Sequence, residues 1–323
     1  MKSFIDRLRT LLILGRVSNL PTVWSNLLAG WIIAGGTYDT SVLILFVLLG
    51  GSFLYVGGMY LNDYCDADFD ARYCPERPIP AGKISRRTVG FLAVLWFTAG
   101  FGCLASFGPI AVGTTLLLIS AIVLYDFHHK NVAWAPLLMA FCRCLLYLLA
   151  ASSGRNSCFG YFHGTWSNDT LGFVHGPWSV DALKVTLNVF PAAIPLGLYV
   201  AGITYLARGE SRPGKPTRWA LLLLLMPVAF SFVTYACLNS SYIPLPLLPV
   251  ILICALQLYW MVCLLVPFWR KTKPSIGRVV SGLLAGIVLV DIIALIPSIG
   301  PLGILLFPLF ALALLLQRVI PAT

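Results

Sequence analysis

The sequence predicts an all-α fold, a polytopic transmembrane helical bundle of nine to ten spans, on three observations. Hydrophobic residues make up 59% of the 323 positions and charged residues 11%, and the mean hydropathy is +0.88; a water-soluble domain of this length does not tolerate such a surface. Apolar stretches long enough to cross about 30 Å of hydrocarbon recur along the whole chain. Lysine and arginine gather in alternate connections between those stretches, the pattern that cytoplasmic loops of membrane proteins carry.

The spans fall approximately at 11–36, 41–62, 88–107, 109–126, 133–153, 185–206, 218–238, 244–268, 279–297 and 302–319. The last two reduce the count to nine if they form a broken or re-entrant pair around Pro297 and Pro301. Residues 1–10 are too polar for the head of a signal peptide and the next span lacks a small-residue cleavage site, so the first span is expected to stay. Residues 1–323 read as one integral membrane domain.

With the N-terminus inside, eighteen lysines and arginines fall in inside segments, among them Arg7, Arg77, Lys83, Lys130, Arg208, Lys215, Lys271 and Arg318. Only Arg155 and Lys184 fall outside, and Arg16 and Arg143 lie within spans. Both termini are therefore expected in the cytoplasm, on the inner membrane if the cell is bacterial. The net charge of +10 is mostly this bias together with attraction for anionic headgroups and phosphorylated substrates. It does not imply a nucleic-acid partner.

The nine cysteines are scattered and mostly within spans, where cysteine behaves as a small apolar residue. None has zinc-site spacing with histidine, and no disulfide framework is expected. One outside segment, 154–183, is long and rich in Trp, His and Gly; it reads as an interfacial cover or as a tolerated insertion.

The polar chemistry concentrates after the second span, in Asn62-Asp63-Tyr64-Cys65-Asp66-Ala67-Asp68-Phe69-Asp70, followed by Arg77-Pro78-Ile79-Pro80-Ala81-Gly82. Half of the twelve acidic residues lie between 63 and 126, four of them in the eight positions 63–70. If the helix continues through the run, Asn62, Asp66 and Asp70 recur every four residues, with Asp63 one step round the same side. Like charges so spaced repel by a few tenths of a kcal/mol per pair unless a cation offsets them. Oxygen ligands at a membrane surface suit Mg²⁺, which keeps several waters and is completed by substrate phosphates. The alternative is an acidic loop that solvates a helix end.

Within the spans, Arg16, Arg143 and Asp291 each cost roughly 2.5–3.5 kcal/mol on insertion scales, so each should face a polar cavity and have a partner. Arg143 is read either as part of the catalytic set or as half of a structural bridge to Asp291.

The Asn62-Asp63…Asp66…Asp70 run and the Arg77-Pro78-Ile79-Pro80-x-Gly82 tail resemble the first signature of the UbiA superfamily of intramembrane aromatic prenyltransferases. Arg16-x-x-Asn19, Tyr125 and Lys130 follow in matching order. The resemblance implies two Mg²⁺ holding the diphosphate of a polyprenyl donor, and a hydrophobic acceptor, aromatic or lipid-like, in a cavity within the bilayer. It implies metal ligation by Asn62, Asp63, Asp66 and Asp70, and catalytic roles for Asp63, Asp66 and Lys130. Substrate contacts are implied for Arg16, Asn19, Asn62, Arg77 and Tyr125.

The second signature is expected near 203–215, where no aspartate stands and Glu210 is the sole carboxylate, among Arg208, Arg212 and Lys215. Either these cations bind diphosphate directly in place of a second metal, or the chain keeps the fold as a lipid-binding or transport protein.

Overall fold

The computed structural model describes residues 2–36, 41–130, 132–154, 188–208, 218–240, 247–269 and 276–321. Among them every regular element is helical. Helix α1 is Lys2–Leu14 and α2 is Leu20–Ile33, separated by the 3₁₀ turn Val17–Asn19. Then follow α3 (Ser41–Tyr73), α4 (Arg86–Leu104), α5 (Pro109–His128), α6 (Ala135–Gly154), α7 (Phe190–Arg208), α8 (Arg218–Ser240) and α9 (Leu247–Trp269). The chain closes with α10 (Ile276–Ala285), α11 (Ile287–Ile299), the 3₁₀ segment Gly300–Leu306 and α12 (Phe307–Gln317).

Eight segments, α3 to α9 and the pair α10–α11, are long and apolar enough to cross a membrane, and Leu302–Gln317 is a shorter apolar one. The protein is an integral, multi-pass membrane protein. The expected first span differs: the apolar run 11–36 is not one helix but breaks at Arg16, which adopts the left-handed conformation at φ 41° and ψ 47°. Arg16 is thus at a break between helices, not inside a continuous span. The helix that remains, α2, has 14 residues.

Local chemistry explains the other boundaries. Pro21 and Pro109 open α2 and α5, where the missing N–H is no loss. Ser85 caps α4 by accepting the Thr88 N–H at 3.1 Å, as N-cap serines do. No Gly or Pro interrupts α3 between Asn62 and Tyr73, so the helix runs on through the acidic residues. Its 33 residues span about 50 Å at 1.5 Å per residue, well beyond the hydrocarbon thickness, and its C-terminal turns project past the membrane core.

The centre of the bundle is α2, α6, α7 and the α10–α11 pair, with the α3–α4 hairpin packed alongside through α5. The apolar window of α10–α11 is 83% buried, that of α4 only 22%, so α4 shows most of its surface to lipid. Helices α2 and α6 meet at Gly30, where an added Cβ would lie 2.5 Å from the Tyr147 carbonyl oxygen; only glycine permits that approach.

Candidate functional site

Because α3 continues as one helix, Asn62, Asp63, Asp66 and Asp70 share a buried face, while Asp68 points outward. A buried carboxylate needs partners, and each of the three here faces a cation. Arg16 Nη2 lies 3.3 Å from both Asp63 Oδ1 and Asn62 Oδ1. Arg77 Nη1 is 2.9 Å from Asp70 Oδ2 and 3.8 Å from Asp63 Oδ1. Lys130 Nζ is 2.6 Å from Asp66 Oδ1, with His129 Nε2 3.6 Å from Oδ2 of the same group.

The cations are placed by backbone that the sequence builds around them. Left-handed backbone at a non-glycine residue costs on the order of 1 kcal/mol or more; at Arg16 it turns the chain between α1 and α2 with its guanidinium toward α3. Arg77 opens a compact turn in which the Lys83 N–H donates to the Pro78 carbonyl at 3.0 Å and Gly82 takes φ 70°, a conformation glycine adopts without strain. Ile79 of that turn packs against the small apolar cluster around Tyr60 and Val89. Burial alone lowers the pKa of the Arg77 guanidinium, but the Asp70 and Asp63 carboxylates outweigh it and hold the pKa above its ordinary value.

Lys130 and His129 follow α5. The Lys130 ammonium also sits 3.8 Å from the centre of the Phe69 ring, and His129 stacks on Tyr125. Arg208, at the end of α7, donates to the carbonyls of Val132 at 2.9 Å and Ala133 at 3.1 Å, and to that of His129. Its guanidinium thus holds the backbone around Lys130. Glu210, Arg212 and Lys215 lie outside the described residues. Asn19 is buried on the 3₁₀ turn just after Arg16.

Beneath the acidic face, a cavity of about 70 Å³ opens between α3, α5 and α6, lined by residues that include Tyr55, Met59, Ile122, Tyr125, Asp126, Met139, Cys142 and Arg143. Asp126 joins it to the acidic run: Asn62 Nδ2 donates to Asp126 Oδ1 at 3.1 Å. A larger cavity of about 160 Å³, lined partly by Pro191, Pro195, Pro227 and Pro297, lies toward the other end of the bundle and has no titratable side chain in its walls.

Arg143 does not bridge Asp291 directly. Its Nη1 donates to Asn26 Oδ1 at 2.8 Å and its Nη2 to Thr22 Oγ1 at 3.2 Å. Asn26 Nδ2 in turn donates to Asp291 at 2.8 and 2.9 Å, and the carboxylate also accepts from Ser25 at 2.5 Å and from Tyr147 at 2.6 Å. The expected two-residue bridge is a relay through an amide, because Asn26 of α2 stands between Arg143 of α6 and Asp291 of α11, while Tyr147, one turn further along α6, reaches Asp291 directly. Sequence reasoning missed Asp126 and His129: the expected fourth span, 109–126, ends on Asp126 and leaves His129 in the loop beyond it, whereas α5 runs to His128 and His129 continues its last turn, donating its N–H to the Tyr125 carbonyl at 2.7 Å. The signal was present in Tyr125, from which helical spacing reaches His129 one turn on.

The arrangement is that of an all-α membrane bundle with a cation-paired acidic helix face over an intramembrane cavity. The chain matches the UbiA prenyltransferase family over residues 20–281 and belongs to it. It is 31% identical over 116 residues to a 4-hydroxybenzoate octaprenyltransferase of Alkalilimnicola ehrlichii, covering 35% of this chain and 39% of that protein. It is 31% identical over 122 residues to one of Yersinia enterocolitica, covering 37% and 42%. These matches thus span about two-fifths of the relatives' length. A solved structure described as digeranylgeranylglyceryl phosphate synthase in membranes shares the fold, with a TM-score of 0.59, 18% identity and coverage of 91% and 99%. So does a UbiA homologue from Aeropyrum pernix K1, with a TM-score of 0.63, 14% identity and coverage of 88% and 98%.

Proposed function

We propose that this protein transfers a prenyl group from a polyprenyl diphosphate to a hydrophobic acceptor inside the membrane, with Mg²⁺ as the cofactor and the acidic face turned to the cytoplasm. The observation that carries the reading is the set of three buried carboxylates on one helical face, each beside a cation, joined to the α3–α5–α6 cavity by the hydrogen bond from Asn62 to Asp126. Family membership and the lysine and arginine distribution support it.

Charge balance tests whether the metal fits. Asp63, Asp66 and Asp70 already meet Arg16, Arg77 and Lys130, so the cluster has no surplus positive charge for a diphosphate that brings two to three negative charges. Among the described residues, no three His, Cys, Asp or Glu side chains converge as a ready metal cage. An all-oxygen donor set without a closed cage suits a hard cation that phosphate and water complete. Asn62, Asp63, Asp66 and Asp70 would hold it, and bound there it supplies electrostatic stabilisation of the leaving diphosphate.

The chain's own residues do the rest. Lys130 and Arg77, next to those carboxylates, are placed to take up diphosphate oxygens as the C1–O bond breaks and charge develops. Arg16 orients Asn62 and Asp63, Asn19 buttresses the turn that carries it, and Tyr125 offers a ring face to the allylic cation. Arg143, fixed by Thr22 and Asn26, gives the cavity a polar wall toward which the acceptor orients. The new bond forms between C1 and the acceptor, which gives up a proton as the diphosphate departs. Lipid-facing helices keep water from quenching the cation. Arg208 supports the site through the turn that carries Lys130.

The direct test exposes purified protein in lipid nanodiscs to labelled polyprenyl diphosphates of several lengths, with Mg²⁺ or EDTA. Mg²⁺-dependent donor binding and release of diphosphate when an acceptor is present are expected. No binding of any donor under either condition would overturn the proposal.

A further inference from the structure

Asp126 is 4% exposed and lines the cavity beneath the acidic face. Its two oxygens differ in kind. Oδ1 accepts from Asn62 Nδ2 at 3.1 Å, while Oδ2 is buried with no hydrogen-bond partner among the described residues. Buried polar atoms are nearly always paired, and a carboxylate oxygen is an expensive one to leave alone. Among the described residues no cation forms an ion pair with Asp126, unlike Asp63, Asp66 and Asp70. Across the same cavity, the Nη atoms of Arg143 are engaged by Thr22 and Asn26, so its guanidinium is not turned to Asp126.

We infer that Asp126 Oδ2 is the specificity-determining contact for the acceptor, receiving a hydrogen bond from an O–H or N–H group on it. The inference rests on the reading that this cavity takes the acceptor. The acceptor class that follows is a flat or chain-like apolar molecule bearing at least one hydroxyl or amino hydrogen; a fully etherified analogue of the same shape leaves Oδ2 unpaired. A site built to receive such a hydrogen rejects the analogue without it far more strongly than an apolar pocket rejects a change of one methylene.

The geometry also says what an isosteric change does. Asn62 donates to Oδ1, so in D126N the amide oxygen remains on Asn62 and the amide nitrogen takes the place of Oδ2. The free atom becomes a donor, and the preference for a hydrogen-bearing ligand is lost or inverted.

The experiment measures binding of hydroquinone and of 1,4-dimethoxybenzene, one ring with and without O–H groups, to the full chain in nanodiscs by saturation-transfer NMR competition. Geranyl diphosphate binding with Mg²⁺ is measured on the same samples. Wild type is expected to bind hydroquinone at least about tenfold more tightly than the dimethyl ether, with the ratio falling to about twofold or below in D126N. Equal binding of the two rings by wild type, or a ratio that survives in D126N, overturns the assignment of Asp126 while leaving prenyl transfer standing. A changed Mg²⁺ dependence of geranyl diphosphate binding in D126N also overturns it, since the residue would then serve the diphosphate. Failure of wild type to bind the diphosphate at all would instead remove the prenyl-transfer reading, and the acceptor assignment with it.

Discussion

Asp291 is fully buried in α11 and accepts hydrogen bonds from Ser25, Asn26 and Tyr147, while Arg143 reaches it only through Asn26. Y147F removes one of these bonds. Hydrogen bonds between membrane helices average about 0.6 kcal/mol, with a maximum near 1.7, so about 1 kcal/mol is expected. D291L removes the acceptor of all three donors and leaves the buried Arg143 guanidinium without the carboxylate it reaches through Asn26, and an uncompensated buried charge costs about 3–5 kcal/mol. The two charges are coupled through one amide, so the double variant R143M/D291L should recover at least about 1 kcal/mol relative to the sum of the single changes, the signature of interacting sites. Equilibrium unfolding in mixed detergent micelles, followed by circular dichroism, gives all four values. The reasoning fails if D291L is no more damaging than Y147F, or if the two charge removals simply add.

At the acidic face, D66A and D70A should abolish Mg²⁺-dependent donor binding while leaving helix content unchanged, and titration calorimetry with and without Mg²⁺ reads this directly; intact affinity in both variants would rule out the metal assignment. Lys130 touches Asp66 whereas Arg208 only holds the turn behind it, so K130M should weaken donor binding roughly tenfold, near 1.4 kcal/mol, and R208M by less. The reverse order would put Arg208 on the diphosphate. R16A should be less stable than R16G by about 1 kcal/mol, because both lose the pair with Asp63 but only alanine keeps the left-handed strain; equal stability would argue that Arg16 is not strained. Cysteines introduced at Lys83 and at Ser298 should be labelled from opposite sides of the membrane, Lys83 from the cytoplasm; labelling of both from one side contradicts the topology.

Several features needed nothing beyond the linear chain. Hydropathy over about 20 residues marks a membrane helix whatever its neighbours, since in lipid each helix satisfies its own backbone, and the apolar segments read from the sequence each hold a helix. The acidic face is equally local: Asn62, Asp63, Asp66 and Asp70 share a side once α3 is helical, and the absence of Gly and Pro there keeps it so. What those side chains meet is not local. Arg16 reaches Asn62 and Asp63 from 46 and 47 residues away, and only the left-handed break before α2 brings it there; a hydropathy window passes over that break because its flanks are apolar. Asn62 and Asp126 are 64 residues apart, Asn26 and Asp291 265. A buried charge takes whatever partner packing offers, and the order of helices around the bundle is set by surfaces that meet only after the chain has folded. That is why the pairing of each carboxylate, the amide relay between Arg143 and Asp291, and the open oxygen of Asp126 were decided by the tertiary structure alone.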